Sequence, residues 1–250
     1  MAISTNSVIH YTSKIDNLNG ILTTEGFKLK YCSEKLVLPD GKSLNGAFPM
    51  VSFCDIPLSE VKNHMDSYGS YAIGLTKIWA KKASLNPVLY IEKNSSLTKN
   101  IGEQYMRLLK MMKEGHKDEI QLYEHIGILS HCKNYEGELI HGKINSENYR
   151  FYDEREWRYV ATSKEDLKEA PSFIANETYI KDKEFHNSKL ENCIIKFTYE
   201  DISYIIVDEE NDIPEILTTL NSVYEDKCTT KQLKILSTKI ITKNQIFNDF

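Results

Sequence analysis

Ser7-Val8-Ile9-His10-Tyr11-Thr12-Ser13-Lys14-Ile15-Asp16-Asn17-Leu18-Asn19-Gly20-Ile21-Leu22 changes its periodicity half-way. Ser7 to Tyr11 is a short run of β-prone residues. From Ser13 onward the apolar residues Ile15, Leu18, Ile21 and Leu22 fall at helical spacing. The spacing predicts a strand, then a short helix capped by Ser13 or Asp16 and ended by Gly26. His10 and Thr12 then sit at the strand-to-helix junction. A neutral imidazole next to a hydroxyl offers both donors and acceptors to a ribose or an amide. A core histidine with satisfied hydrogen bonds is the other reading of His10.

Working outward, Pro39-Asp40-Gly41 marks a turn within the turn-rich stretch 36–48. Met50 to Cys54 is a candidate strand, and Leu58 to Asp66 a short helix capped by Ser59 or Asp55. Ala72–Leu75 and Val88–Ile91 are further strands, with helical turns over Thr76–Ala83. Residues 97–133 form the longest helical stretch, with an apolar face from Leu108, Leu109, Met111, Met112, Ile120, Tyr123, Ile126, Ile128 and Leu129 and a division at Gly115. Strands return at Trp157–Ala161, Asn192–Phe197 and Tyr204–Val207. A helix follows from Ile213 to Tyr224, and a strand-rich segment from Lys234 to Ile241 ends the chain. Residues 163–191 are polar, weakly periodic and read as a surface loop. The expected architecture is one mixed α+β domain over 1–250 with a helical insertion at about 97–133.

The 250 residues are 41% hydrophobic and 27% charged, with 15 Tyr, 9 Phe and 2 Trp, which is enough apolar area for a sizeable core. A formal net charge of −5 supplies no global basic field for nucleic acid. Lysines 28, 30 and 35, and 77, 81 and 82, are local basic groups. The five cysteines are widely spaced and contain no CxxC pair, as expected of free thiols in a reducing compartment. Residues 1–6 lack a charged n-region, and no apolar run approaches about 18 residues. The expected location is the cytoplasm, without membrane association.

Four constellations carry possible chemistry. In Phe151-Tyr152-Asp153-Glu154-Arg155-Glu156-Trp157-Arg158, strand alternation would put Glu154, Glu156 and Arg158 on one face. Carboxylates about 7 Å apart beside a guanidinium form either a salt-bridged edge strand or a catalytic pair. In the second case a carboxylate orients or deprotonates a nucleophile, or stabilises an oxocarbenium-like centre. Tyr68 and Tyr71, near Gly69 and Gly74, make either an aromatic wall for a flat ring or core filling. Cys54 with His64 has the composition of a thiol nucleophile and base, although Cys54 lies in an apolar run. His125, His131, Cys132 and His141 suit zinc by type but match no tight ligand spacing, so no metal is expected. Neither GxxxxGK[ST] nor GxGxxG occurs.

The runs Val8–Thr12, Met50–Ser59, Tyr68–Leu75, Asn86–Tyr90 and Phe151–Arg158, in that order over about residues 7–210, resemble the AbiGi family of bacterial abortive-infection phage resistance. In its namesake system the AbiGi component is described as an antitoxin beside a separate toxin. His10-Tyr11-Thr12, the helix after it and the late glutamate strand are also similar to the ADP-ribosyltransferase fold, in particular its DNA-modifying toxin branch. That second resemblance implies a central, mainly antiparallel split sheet. It implies NAD as substrate, with His10 on the NAD ribose and Glu156, or Glu154 one pleat away, aiding attack on the anomeric carbon. Tyr68 or Tyr71 takes the middle aromatic position, and Thr12 and Arg158 join the NAD-binding candidates.

The first functional expectation is therefore a phage-defence effector or toxin that uses NAD to modify nucleic acid or protein, or cleaves NAD outright. The alternative is a non-catalytic antitoxin or phage sensor with a degenerate site and a cognate toxin or antitoxin as partner. A third is a nuclease holding Mg²⁺ through Asp153, Glu154 and Glu156, ranked last because the cluster lacks a nearby lysine.

Overall fold

The computed structural model describes residues 4–114, 119–141 and 144–249. The chain begins with β1 (Ser7–Thr12), α1 (Ile15–Thr24) and β2 (Gly26–Lys28). Next come β3 (Lys30–Val37) and β4 (Ser43–Cys54), joined by the expected turn. A 3-10 turn at Leu58–Glu60 leads into α2 (Lys62–Tyr68), β5 (Tyr71–Thr76), α3 (Lys77–Lys82), β6 (Asn86–Pro87) and β7 (Leu89–Ile91). Helices α4 (Ser96–Lys113) and α5 (Glu119–Leu129) cover most of the long helical stretch expected at 97–133. Gly115, expected to divide them, lies outside the described residues, as do the side chains of Met112, Ile120 and Tyr123. Strands β8 (Cys132–Asn134), β9 (Gly137–His141) and β10 (Ile144–Tyr149) follow, then a 3-10 turn at Phe151–Glu154 and β11 (Glu156–Val160). The remainder is α6 (Lys164–Leu167), β12 (Ile174–Ala175), α7 (Asn176–Tyr179), α8 (Lys183–Ser188), β13 (Ile194–Lys196), β14 (Ile202–Val207), α9 (Ile213–Tyr224), α10 (Thr230–Ser237), β15 (Ile240–Thr242) and α11 (Lys243–Asp249).

The fold is α+β, built on one large, mainly antiparallel sheet in the order β15-β14-β5-β1-β4-β11-β6. β3 and β12 also pair with β4, and only β14 with β15 runs parallel within it. β1 pairs with β5 over six positions, Ser7 to Thr12, but meets β4 at Ile9–Cys54 alone.

Side-chain alternation explains how both faces are covered. Val8, Ile73, Leu75, Ile205 and Val207 enter one core with Leu18 and Leu22 of α1 and Ile216, Leu220 and Tyr224 of α9. Ile9, Tyr11, Ala72 and Ile206 enter a second with Val61, Met65 of α2 and Ile246 of α11. Each fully buried aliphatic side chain contributes about 1.5–3 kcal/mol against exposure. The α4–α5 hairpin covers the far half through Ile101, Leu129 and Ile126, which pack on Leu36, Ile91, Phe48 and Met50.

Several expectations are corrected here. Neither Ser13 nor Asp16 caps α1: Lys14 is its N-cap and Glu25, left-handed at φ 47°, ends it, while Gly26 already belongs to β2. A Cβ on Gly26 would lie 2.8 Å from the Ile195 carbonyl oxygen, so strand packing is what requires glycine there. Neither Ser59 nor Asp55 caps α2; Asp55 binds Ser4, the Thr5 backbone N–H and Lys77 instead. β4 runs seven residues further toward the N-terminus than Met50, because β3 pairs with it from Val37–Ser43 to Lys30–Met50. The 163–191 segment carries α6, β12, α7 and α8 and buries Leu167, Ile174, Tyr179 and Leu190, so it is not a surface loop. Ile240 and Ile241 lie in strand β15 as expected, whereas Lys234–Leu236 are helical in α10 and Lys243–Asp249 form helix α11.

Candidate functional site

The site is assembled where β1, β4 and β11 lie side by side. His10 on β1 faces Ser52 on β4, and its Nδ1 lies 2.8 Å from the Ser52 carbonyl oxygen. A carbonyl only accepts, so Nδ1 carries the proton. Burial holds the imidazole below its ordinary pKa, against the Ser52 hydrogen bond and with Lys30 adding to the depression. The neutral ring thus presents Nε2 as an acceptor, while its faces pack against Phe27 and Phe53 at centroid distances of 5.2 and 5.6 Å.

On the other side of β4, the Ser52 hydroxyl donates to Glu156 Oε1 at 2.6 Å. Arg158 reaches the same carboxylate with Nε at 2.7 Å and Nη2 at 2.9 Å. Lys133 Nζ completes the set, 3.3 Å from Glu156 Oε2 and 2.7 Å from Glu154 Oε2. Glu154 Oε1 accepts from the Tyr68 hydroxyl at 2.6 Å. Arg158 is fully buried, 0% exposed, and also binds Glu34 at 3.0 Å and the Ser130 carbonyl at 2.8 Å. Removing such charges from water is costly, and the network is tolerable because each charge is paired. Burial opposes ionisation of Glu156, yet Arg158 and Lys133 outweigh it and hold the carboxyl well below the usual carboxylate range. Burial likewise opposes the Lys133 charge, and Glu156, Glu154 and Glu34 keep the ammonium protonated.

Local backbone sets these directions. Glu154 is not in the strand as alternation suggested: it ends the 3-10 turn, and Arg155 at φ 47° reorients the chain before β11 starts at Glu156. The two carboxylates nonetheless converge on one ammonium. Lys133 faces Tyr90 in the parallel β7–β8 pair, and the Tyr90 hydroxyl accepts from the Glu156 backbone N–H at 2.9 Å. Gly69 closes α2 at φ 120°, where a Cβ would lie 2.2 Å from the Thr12 carbonyl oxygen. Only glycine allows that approach, which carries the chain from Tyr68 past the end of β1.

Two clefts meet at this junction and share His10, Cys32 and Ser52. The first, about 480 Å³, is bordered by Thr12, Asn17, Lys28 and Lys30. The second, about 350 Å³, contains Glu154, Glu156, Lys133, Tyr68 and His64. Of the expected site residues, His10, Thr12, Tyr68, Glu154 and Glu156 border the clefts. Thr12 Oγ1 accepts from Asn17 Nδ2 at 2.7 Å. Tyr71 lies elsewhere, its hydroxyl donating to Asp212 at 3.1 Å. Arg158 stands behind Glu156 with its guanidinium turned onto protein groups.

Ser52, Glu34 and Lys133 were missed. Lys133 lies 21 and 23 residues before the glutamates it binds, so no local spacing points to it. The reading that the acidic run lacks a nearby lysine is therefore wrong: an ammonium occupies the space between Glu154 and Glu156, and Asp153 turns out to Arg150 at 3.7 Å. Among the described residues no group of three His, Cys, Asp or Glu could hold a metal ion. His125 Nε2 lies 3.1 Å from the Ile101 carbonyl oxygen and His131 Nδ1 2.9 Å from that of Gly127, while the side chain of His141 lies outside the described residues. Burial pushes the Cys54 thiol up to about 12, which disfavours a thiolate nucleophile.

Fold and site together define an α+β protein with a buried carboxylate network on its main, largely antiparallel sheet. A family model described as "Putative abortive phage resistance protein AbiGi, antitoxin" matches residues 25–208. The chain belongs to this AbiGi family of abortive phage resistance proteins. It is similar to the abortive phage resistance protein AbiGi of Lactococcus lactis subsp. cremoris, 26% identical over 222 residues, which are 81% of this chain and 88% of that protein. No solved structure matches the chain. No helix among the described residues is long and apolar enough to cross a membrane.

Proposed function

We propose that this chain acts in abortive infection as an ADP-ribosyltransferase-like effector. It binds NAD along the two joined clefts and transfers its ADP-ribose unit to nucleic acid or protein, or releases that unit to water. One observation carries the reading: His10, Ser52 and Glu156 stand side by side on β1, β4 and β11, linked by the 2.8 Å His10–Ser52 and 2.6 Å Ser52–Glu156 contacts. The donor set suits the substrate. His10 Nε2 accepts from a ribose hydroxyl, and Lys28 and Lys30 border the first cleft with charges complementary to a diphosphate. An ionised Glu156 beyond them favours positive charge developing at an anomeric carbon.

Incubation of the full chain with labelled NAD, with and without DNA, RNA and cell lysate, tests the proposal. Label transfer or nicotinamide release is expected, reduced at least about 100-fold in Glu156→Gln. Absence of both NAD binding and turnover refutes it.

A second reading is a non-catalytic antitoxin or phage sensor in complex with a cognate toxin. The antitoxin description of the family favours it. So does the Glu156 carboxylate, whose oxygens already accept from Ser52, Arg158 and Lys133. It predicts a stable complex with a toxin and no NAD turnover.

A further inference from the structure

The carboxylate oxygens of Glu156 and Glu154 are already engaged. Each oxygen receives a hydrogen bond: from Ser52, Arg158 and Lys133 for Glu156, from Tyr68 and Lys133 for Glu154. His64 differs. It projects from α2 into the second cleft, between the rings of Tyr11 and Tyr68 at centroid distances of 5.2 and 4.4 Å. Its ring nitrogens make no hydrogen bond with the described residues.

We propose that His64 is the proton acceptor of the site, a catalytic residue that takes the proton of an incoming O–H group, water in the simplest case. The inference rests on the ADP-ribosyltransferase-like reading above. In that step the acceptor oxygen bonds to the anomeric carbon while the carbon–nitrogen bond to nicotinamide breaks. The electron pair leaves with nicotinamide, and the acceptor's proton passes to a ring nitrogen of His64 and then to water.

Charge placement favours His64 over the other imidazole in the trough. Burial keeps His64 neutral, its pKa lowered to about 4; Glu156 opposes that depression, and Lys133 adds a smaller contribution to it. The titratable groups lining this cleft with His64 are His10, Tyr11, Tyr68, Cys32, Cys54 and the carboxylates Glu34, Glu154 and Glu156, with Lys133 as the one lysine or arginine among the described residues there. An imidazolium formed there meets Glu156 and the Tyr68 π-face, and both stabilise a cation. An imidazolium at His10 meets Lys30 instead, and its Nδ1 is already committed to Ser52.

The test compares wild type with His64→Gln by NAD binding, nicotinamide release across pH 4–8, and rescue by added imidazole. The expected result is NAD affinity within about twofold, turnover reduced about 100-fold and partly restored by imidazole. The wild-type rate should fall on the acid side as His64 takes a proton, and that limb should vanish in the variant. Wild-type turnover that survives in His64→Gln, or a loss of NAD binding that accounts for the lost turnover, overturns the role of His64 alone. Wild type that binds NAD and releases no nicotinamide overturns the enzymatic reading and His64 with it.

Discussion

Replacing Arg158 by Met removes the one fully buried cation among the described residues and keeps much of its volume. Glu156 loses the Nε and Nη2 contacts at 2.7 and 2.9 Å, and Glu34 loses its 3.0 Å partner. Breaking a buried pair from one side typically costs about 3–5 kcal/mol, because the remaining charge stays desolvated. For a chain of this length that corresponds to a fall in Tm of roughly 10 °C. Equilibrium urea unfolding and thermal scans at pH 7 provide the assay. Two further comparisons isolate the cause. Arg158→Met with Glu156→Gln should recover part of the loss, since the orphaned charge is gone. Lowering the pH should narrow the gap between wild type and the single variant. Glu156 is depressed in the folded wild type, so its contribution is present above the ordinary carboxylate range and is lost as pH falls below it. The variant lacks most of that depression and has less to lose. Stability of Arg158→Met within about 1 kcal/mol of wild type, or a double variant no better than the single one, would refute the argument.

Gly69→Ala places a Cβ 2.2 Å from the Thr12 carbonyl at a φ of 120°, so the turn must shift; a loss above about 2 kcal/mol and weaker ligand binding are expected by denaturation and calorimetry, and a wild-type profile would contradict the packing. His64 is neutral when folded, with its pKa lowered to about 4 from 6.5. Its contribution is therefore complete above pH 6.5 and drains away between about 6.5 and 4, on the order of 3 kcal/mol. The stability difference between wild type and His64→Gln should slope through that window and be flat above it, as read from urea midpoints.

The opening strand and helix were legible because their periods are local: Val8 and Ile9 alternate, and Leu18 and Leu22 recur one turn apart on a buried stripe. Ser7 opposite Thr76 and Ile9 opposite Gly74 show the limit of such reading. Their pairing across β1 and β5 is long-range, as is the β3–β4 ladder that carried β4 back to Ser43 through residues rich in turn formers. Pairing overrode propensity there. In the acidic run, alternation rightly placed Glu156 and Arg158 on one face, but it could not anticipate that Arg155 would turn left-handed and leave Glu154 outside the strand. Ser52 and Lys133 were illegible for a different reason. Each meets Glu156 across more than 20 positions of sequence, Ser52 from the neighbouring strand β4 and Lys133 from the separate β7–β8 pair.

The α4–α5 hairpin looks like surplus length added to a sheet that already has a core. Its exit at Ser130 to Asn134 says otherwise, because the Ser130 carbonyl caps Arg158 and Lys133 clasps both glutamates. A chain shortened across that exit would retain every residue of β1, β4 and β11 and still lose the electrostatic closure of Glu156. The hairpin is therefore a keystone set in from the side, since the segment that leaves it delivers Ser130 and Lys133 to the charged network.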